Sequence, residues 1–154
     1  MADHVLEARL WVGRPRTEVF AFFADPGNLI RLTPPSLHLR LTTAVPLAPG
    51  AVLDYRLRWW GLPIRWRAFI REYDPPYRFF DVQVRGPFSR WEHRHRFLEA
   101  DGGTVVEDRV VYRLPFGALG RVAHAALVDR RLRAAWNYRT RQLAALLGPV
   151  RPGA

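Results

Sequence analysis

Two histidines and an aspartate lie where neighbouring strands would bring them together. His93 and His95 are separated by one residue, and Asp108 follows in the next predicted strand. Because alternate residues of a strand face the same side, both imidazoles point to one face of the sheet. Two imidazoles and a carboxylate can bind a metal ion, or they can exchange protons with a substrate as general acids and bases. They can also orient a bound molecule through hydrogen bonds, or satisfy one another inside a dry core.

Among these chemistries, hydrogen bonding to a ligand is the one that we predict. Histidines one pleat apart usually line a pocket, so we expect neither a metal ion nor another cofactor. No strict catalytic motif accompanies His93, His95 and Asp108, so we assign no catalytic residue and favour a binding protein over an enzyme. Cysteine is absent, which excludes a disulfide framework, a thiolate zinc site and a cysteine nucleophile.

The elements that position these residues follow from the apolar periodicity and from the turns. A strand over residues 5–12 precedes two short helices, and turns containing Pro and Gly divide residues 37–114 into six strand candidates. The short connections indicate an antiparallel meander. The stretch 118–147 is rich in Ala, Leu and Arg and predicts one long helix. The predicted fold class is therefore α+β, with a single domain over 1–148 and a short tail over 149–154.

Alternation along these strands assigns the two faces of the sheet. Arginines occupy one parity of the strands, which places them on the outer, solvated face. Acidic residues on the same parity, such as Asp54, Glu92 and Glu107, interrupt the positive charge. The arginines predicted to face outward are Arg56, Arg58, Arg65, Arg67, Arg71, Arg90, Arg94, Arg96, Arg109 and Arg113.

The inward parity mixes aromatic with polar side chains. Burying an unpaired polar group costs about 1–3 kcal/mol, so a dry core would select against this mixture. A cavity with apolar walls and a few convergent polar groups accounts for it better. The predicted ligand contacts on this face are Tyr55, Trp66, Trp91, His93, His95, Asp108 and Tyr112.

The predicted long helix carries an apolar set that we expect to lie mostly in the core. Leu132 and Trp136 are placed over the cavity as a lid, so Trp136 is also counted among the predicted ligand contacts. The full apolar set is Leu119, Val122, Leu127, Leu132, Trp136, Leu143 and Leu146.

The net charge is +10, from 24 basic residues, all of them arginine, against 14 acidic residues. This balance invites a nucleic-acid partner, but the aromatic residues lie mostly on the face opposite the arginines, where they cannot stack with bases. We therefore predict no nucleic-acid binding. A cysteine-free composition with arginine as its only strong base is typical of a GC-rich genome or a thermophile.

The chain length and its first residues favour a cytoplasmic protein. The 154 residues contain no apolar run near the length of a membrane span. The polar start, Met1-Ala2-Asp3-His4, is not typical of a signal peptide. We expect a monomer or a weak dimer.

One turn is apolar at its tip and basic at its base. It runs from Trp59 to Ile64 and is flanked on both sides by arginines. Tryptophan and leucine above a basic collar suit contact with an anionic bilayer, and the predicted contacts are Trp59, Trp60 and Leu62. A dimer contact, or packing against the mouth of the cavity, is the alternative, and both interpretations stay open.

A family resemblance rests on motifs that span nearly the whole chain. These are Pro15-x-x-x-Val19-Phe20-x-Phe22-x-x-Asp25-Pro26-x-Asn28-Leu29, Phe79-x-Asp81-x-Gln83-x-x-Gly86-Pro87-Phe88-x-x-Trp91-x-His93-x-His95-x-Phe97 and Gly103-Thr104-x-Val106-x-Asp108-x-Val110-x-Tyr112. In these motifs the chain resembles the SRPBCC, or START-related, superfamily, in its polyketide cyclase and coenzyme-Q-binding branch. The resemblance implies the helix-grip, birch-pollen-allergen-like fold. In that fold a seven-stranded curved antiparallel sheet, with two short helices after its first strand, wraps around a long C-terminal helix.

The same resemblance completes the predicted site and its function. It implies that Phe79, Asp81 and Gln83, whose strand is ambiguous by periodicity, face the cavity as further ligand contacts. The expected ligand is small and hydrophobic, such as a lipid, a quinone or a polycyclic polyketide-like aromatic, held by a carrier or chaperone. The alternative is an enzyme of the polyketide cyclase or dehydratase type that uses the histidines and aspartates of the same cavity.

Overall fold

The computed structural model describes residues 2–43, 45–123 and 127–153, which form one curved sheet and the helices that cover it. The sheet has eight antiparallel strands in the order β2-β3-β4-β5-β6-β7-β1-β8. Strands β2 to β7 follow one another as a meander, and β1 pairs with β7. The strands are β1 (His4–Val12), β2 (Arg40–Leu41), β3 (Val52–Trp59), β4 (Leu62–Asp74), β5 (Arg78–Arg85), β6 (Arg90–Ala100), β7 (Gly103–Arg113) and β8 (Val150–Pro152).

The strand count exceeds the prediction by one. Strands β1 to β7 correspond to the seven that the sequence predicts, and β8 lies in the segment 149–154 that we separated as a tail. Residues Val150 to Pro152 pair with Leu10 to Val12 of β1. Three residues are too few to show an alternation, and proline favours an edge strand because it cannot donate to the ladder. The sequence therefore carried little signal for this strand.

Two short helices follow β1, as predicted: α1 (Arg16–Ala24) and α2 (Pro26–Leu32). Asp25 is the N-cap of α2, and its Oδ1 accepts a hydrogen bond from the backbone N–H of Gly27 at 2.8 Å. Pro26 occupies the first helical position, where its missing N–H removes no hydrogen bond. A 3-10 turn at Pro35–Leu37 then leads the chain into β2.

The described part of the predicted long helix forms two helices, α3 (Gly117–Ala123) and α4 (Asp129–Leu147). Residues 124–126, inside the predicted helix, lie outside the described residues. Helix α4 packs against α2 and β1, and its Leu132 and Leu143 are buried as predicted.

The core prediction is wrong for three residues of the predicted helix. Leu119, Val122 and Leu127 are exposed. Helix α3 instead packs locally: a Cβ at the buried Gly120 would lie 2.3 Å from the carbonyl oxygen of Pro115. Apolar periodicity continues through both helices, but only α4 carries its apolar face onto the sheet. Periodicity identifies an apolar stripe and cannot say what covers it.

The outer face of the sheet is basic, as the alternation predicts. Eight of the ten arginines assigned to it are exposed, and Arg90 and Arg113 are half-buried. Several form ion pairs, such as Arg67 with Asp54 and Arg109 with Glu7. Exposed pairs of this kind contribute about 0–1 kcal/mol each, so the fold does not depend on them.

Candidate functional site

A cavity of about 430 Å³ lies between the concave face of the sheet and the helices α2 and α4. This volume is in the range of small-molecule sites, which is about 300–1,000 Å³. Strands β3 to β6 supply one wall, and α2 with the 3-10 turn supplies the opposite side. The lining is mostly aliphatic and aromatic, so the transfer of an apolar molecule from water into this cavity is favourable.

Most of the predicted ligand contacts lie in the wall of this cavity. Alternation placed the residues of β3, β4 and β6 on the correct face, and the family resemblance did the same for β5. Trp136 of α4, which the sequence places in a lid over the cavity, also lines it. The predicted contacts in the wall are Tyr55, Trp66, Phe79, Asp81, Trp91, His93, His95 and Trp136.

Three predicted contacts lie outside the lining: Gln83, Asp108 and Tyr112. Gln83 instead forms hydrogen bonds with the turn between β5 and β6. Its Nε2 donates to the carbonyl oxygen of Phe88 at 2.7 Å, and its Oε1 accepts from the Phe88 N–H at 3.3 Å. Both ends of the amide are thus occupied by the backbone between β5 and β6. A hydrogen-bonding side chain at the end of a strand can serve the turn beside it, which alternation alone does not reveal.

Tyr112 and Asp108 lie on β7, the strand next to β6, directly opposite Trp91 and His95 of the cavity wall. Tyr112 packs against Trp91 and Phe88, with ring centroids 6.0 and 5.7 Å apart. Asp108 lies beside His93 and His95, and these two histidines line the cavity while Asp108 does not. Their parity was predicted correctly, but residues of α4 pack against them: Arg139 contacts Asp108, and Leu132 shares a core cluster with Tyr112. Both side chains therefore support the residues of the wall.

Five polar side chains, which we call the polar cluster, lie at one side of the cavity. Asp81, His93, His95 and Arg139 line the cavity, and Asp108 lies next to them. His93 Nε2 lies 3.0 Å from Asp108 Oδ1, and His95 Nε2 lies 3.2 Å from Asp81 Oδ2. His95 Nδ1 lies 2.8 Å from Asp108 Oδ1, but its N–H does not point along this line, so the contact is mainly electrostatic. Arg139 Nη2 lies 3.5 Å from Asp108 Oδ2. Asp108 is therefore the anion shared by three basic side chains.

The electrostatics of the polar cluster give its two histidines opposite properties. Burial alone lowers the pKa of His95, but the carboxylates of Asp108 and Asp81 outweigh it and raise the pKa above the ordinary 6.5. Burial lowers the pKa of His93, and the neighbouring His95 lowers it further. Burial would raise the pKa of Asp108, yet Arg139 and the two histidines hold it well below its usual range. As the pH rises, His93 therefore loses its proton before His95 does.

This difference predicts how stability depends on pH. Since the pKa of His95 is higher in the folded state than 6.5, its contribution is fully present below pH 6.5. The contribution is lost as the pH rises through the folded-state value. We expect the free energy of unfolding, measured by urea denaturation across this window, to fall less with pH in His95→Gln than in the unmodified protein.

The exposed His38 provides the control for this measurement. His38 has a left-handed backbone with φ of 46°, a conformation that asparagine tolerates. His38→Asn should keep the pH dependence of the unmodified protein. An equal slope in His95→Gln and the unmodified protein would contradict the assignment of the charge to His95.

Three members of the polar cluster could also approach a metal ion. Donor atoms of Asp81, His93 and His95 lie within 4.8 Å of one another, whereas the sequence suggested Asp108 as the carboxylate. An ion there would have to displace the proton of His95. We expect zinc and iron at well below one per chain when the purified protein is analysed by mass spectrometry of its metals. One zinc or iron per chain that survives dialysis would contradict this expectation.

Sequence reasoning missed Arg139, which is only 8% exposed. Its guanidinium lies over the ring of Phe23, 4.8 Å from the centroid, and beside Asp108. The available signal was its position: Arg139 follows Trp136 by three residues and precedes Leu143 by four, so it shares the apolar face of α4. An arginine on such a face needs a buried anion, and Asp108 supplies it. Sequence reasoning also left out the wall formed by Leu29, Leu32, Leu37 and Leu39.

Residues 12–139 match the family model described as polyketide cyclase / dehydrase and lipid transport. The chain belongs to this family. The predicted membership of the SRPBCC superfamily and the predicted helix-grip fold are thereby confirmed. No curated protein matches the sequence.

Three solved structures with this fold show how widely proteins of this fold differ in sequence and in chain length. Protein CV1439 of Chromobacterium violaceum has a TM-score of 0.74 and 15% identity, over 94% of this chain and 97% of its own. The major latex-like protein 151 of Panax ginseng has a TM-score of 0.70 and 13% identity, over 96% and 99% of the two chains. A nucleoside-diphosphate sugar epimerase of Corynebacterium glutamicum has a TM-score of 0.68 and 26% identity, over 91% of this chain but 28% of its own. The same fold therefore accounts for nearly all of some chains and for only part of a longer one, the epimerase.

Proposed function

We propose that this protein binds a small hydrophobic ligand in its cavity and acts as a carrier or chaperone. The family and the fold suggest hydrophobic ligand binding or cyclase-type chemistry in general. The observation that carries the narrower proposal is the 430 Å³ cavity, apolar over most of its lining and polar at one side. Such an arrangement holds an apolar body by contact area and fixes its orientation at one end.

Flat ligands suit the aromatic part of the wall. The rings of Phe79 and His95 stack with centroids 4.1 Å apart, and Trp66 meets Trp91 edge-on at 5.1 Å. Rigid rings of this kind offer contact area at little cost in conformational entropy. Burial raises the pKa of Tyr55, so its hydroxyl keeps its proton and can donate a hydrogen bond to a ligand oxygen. A quinone or a polycyclic polyketide-like aromatic fits these features, and a lipid would use the aliphatic side.

Native mass spectrometry of the purified protein tests the proposal. A carrier should retain a small molecule, seen as a fixed mass added to the chain and released by denaturation. The released molecule should partition into organic solvent. A cavity that is empty after purification and also fails to take up quinones, fatty acids and anthraquinones would overturn the proposal.

The second candidate is a cyclase or dehydratase acting on a poly-β-keto chain. One observation favours it: His95 lies between Asp81 and Asp108 at the wall of an apolar cavity, where a proton donor and an acceptor could reach a ligand. Replacement of Asp81 by asparagine separates the two functions. A carrier should lose little more than the orientation of its ligand, whereas an enzyme should bind a poly-β-keto thioester and no longer convert it.

Peripheral contact with an anionic membrane is a further part of the proposal, through Trp59, Trp60 and Leu62. Trp60 and Leu62 are exposed at the turn between β3 and β4, while the half-buried Trp59 stacks on Trp60 at 5.4 Å. None of the helices in the described part of the chain has the length and apolar character that crossing a bilayer requires. We also propose a cytoplasmic location, a monomeric or weakly dimeric state and no nucleic-acid partner.

A further inference from the structure

Helix α3 and its flanking residues present large apolar side chains to solvent. Phe116 is 81% exposed, Leu119 is 76% exposed and Val122 is 68% exposed. Contiguous exposed apolar surface on a monomer marks an interaction site more often than single exposed residues do. We call the following set the apolar end: Trp60, Leu62, Phe116, Leu119, Val122 and Leu127.

The two parts of the apolar end lie at the same end of the molecule. Leu114, before α3, and Val128, after it, pack in one cluster together with Trp59. A helix of seven residues is only about 10 Å long, so α3 cannot reach far from this cluster. The guanidinium of Arg131 also lies 5.0 Å from the ring centroid of Trp60. The start of α4 therefore adjoins the β3–β4 turn, and α3 lies shortly before that start in the chain.

Three arginines near this turn form a row across neighbouring strands. Arg40, Arg56 and Arg65 lie directly opposite one another on β2, β3 and β4. Like charges at directly opposed positions destabilise a sheet. None of the three forms an ion pair with any carboxylate in the described ranges, whereas Arg96 and Arg109 on other strands pair with glutamates. We call Arg40, Arg56 and Arg65 the arginine row.

We propose that the apolar end and the arginine row together dock onto an anionic lipid bilayer. Tryptophan, leucine and phenylalanine enter the interfacial region, while arginines bind the lipid phosphates and carboxylates. A second copy of this chain is disfavoured as the occupant, because the net charge of +10 would bring arginines against arginines. The inference rests on the membrane contact proposed above and extends it from the turn to α3. It does not depend on the identity of the cavity ligand.

Docking at this surface would bring the cavity close to the bilayer. Trp59 and Arg131 both line the cavity, and both adjoin Trp60 of the apolar end. An apolar ligand dissolved in the membrane would thus meet the cavity wall without crossing water. The surface therefore connects the proposed carrier function to a source of its ligand.

Vesicle co-sedimentation tests the proposal with the full chain. Vesicles of phosphatidylcholine with about 30% phosphatidylserine should bind the protein, because anionic lipid attracts basic residues. Vesicles of pure phosphatidylcholine should not bind it. Leu119→Gln with Val122→Gln should weaken binding about tenfold or more, because apolar contact is lost. Both side chains are exposed, so the thermal unfolding temperature should not change.

The arginine row has a control with the same change in charge. Arg56→Gln with Arg65→Gln should weaken binding about tenfold or more. Arg96→Gln with Arg109→Gln removes two exposed arginines elsewhere on the same face and should have a much smaller effect. Equal losses in the two double variants would overturn the role of the row, because only the net charge would then matter.

Two other outcomes would overturn the inference while leaving different parts of the function intact. If Trp60→Ala with Leu62→Ala abolishes binding but the α3 variant binds normally, the turn alone contacts the membrane. If no vesicle binds and sedimentation velocity shows a dimer that the α3 variant dissociates, the occupant is a second copy. Retention of a cavity ligand is measured separately and is unaffected by either result.

Discussion

Replacement of Asp108 by asparagine is expected to lower the free energy of unfolding by about 3–5 kcal/mol, the usual effect of removing one partner of a buried ion pair. Asparagine keeps the size of the side chain, so the loss is electrostatic. Asp108 lies within 3.5 Å of His93, His95 and Arg139, all of them buried. Without its charge, the guanidinium of Arg139 is left in the interior with only the half-buried Asp81 nearby in the cluster.

Urea denaturation at neutral pH measures this effect, and Asp54→Asn provides the matched control. Asp54 also pairs with an arginine, Arg67, at 2.8 Å, but both side chains reach solvent. Its replacement should lower the free energy of unfolding far less than Asp108→Asn does, because solvent screens an exposed ion pair. In thermal unfolding, each kcal/mol corresponds to about 2–4 °C for a chain of this size. Similar losses in the two variants would show that Asp108 is not the central anion of the cluster.

The sequence predicted the wall of the cavity well because that wall lies on a single sheet. Alternation with a period of two fixes the face of every residue once one face is buried, and Tyr55, Trp66 and His93 followed this rule. The turns between consecutive strands are short, so the order of β3 to β7 was also predictable. Only β5, with apolar residues on both parities, needed the family resemblance for Phe79 and Asp81.

Depth within the fold could not be predicted in the same way. Asp108 has the correct parity, but the position of α4, whose Arg139 contacts it, decides that it lies beside the cavity wall and not in it. Arg139 looks like a solvated arginine until a buried carboxylate is known to face it. Helix α3 continues the apolar spacing of α4, and only tertiary packing determines that Leu119 is exposed while Leu132 is buried. These features depend on contacts between elements, which local periodicity does not encode.

The arginines of the sheet show the same limit. Alternation predicts the face on which they lie, but it does not predict which carboxylates they contact. Alternation places arginines on the outer face. Most of those on β6 and β7 form ion pairs, either with glutamates of neighbouring strands or with Asp3, just before β1. The arginine row on β2 to β4 lacks such partners in the part of the chain that the structure describes. The same residue type therefore serves as an ordinary ion-paired surface at one side and as a candidate anion-binding surface at the other.

Replacement of Ala135 by tryptophan is expected to abolish ligand binding in the cavity. Ala135 lies on α4, lines the cavity and is half-buried, so an indole at this position would enter the space that a ligand needs. A site filled by its own side chain must expel that side chain before it can bind. The naphthalene dye 1-anilinonaphthalene-8-sulfonate, whose emission rises in apolar surroundings, serves as the probe, and its affinity should fall about a hundredfold, or by about 2.8 kcal/mol.

Ala144→Trp controls for the added indole, because Ala144 is exposed on the same helix and does not line the cavity. It should leave dye binding unchanged. Both variants keep the apolar end intact, so dye that binds there contributes equally to the two measurements. Equal dye affinity in Ala135→Trp and Ala144→Trp, with both proteins folded by circular dichroism, would mean that the dye does not occupy the cavity. A co-purifying ligand that remains in Ala135→Trp would likewise place the binding site elsewhere, since an indole at position 135 and a bound molecule cannot share the same space.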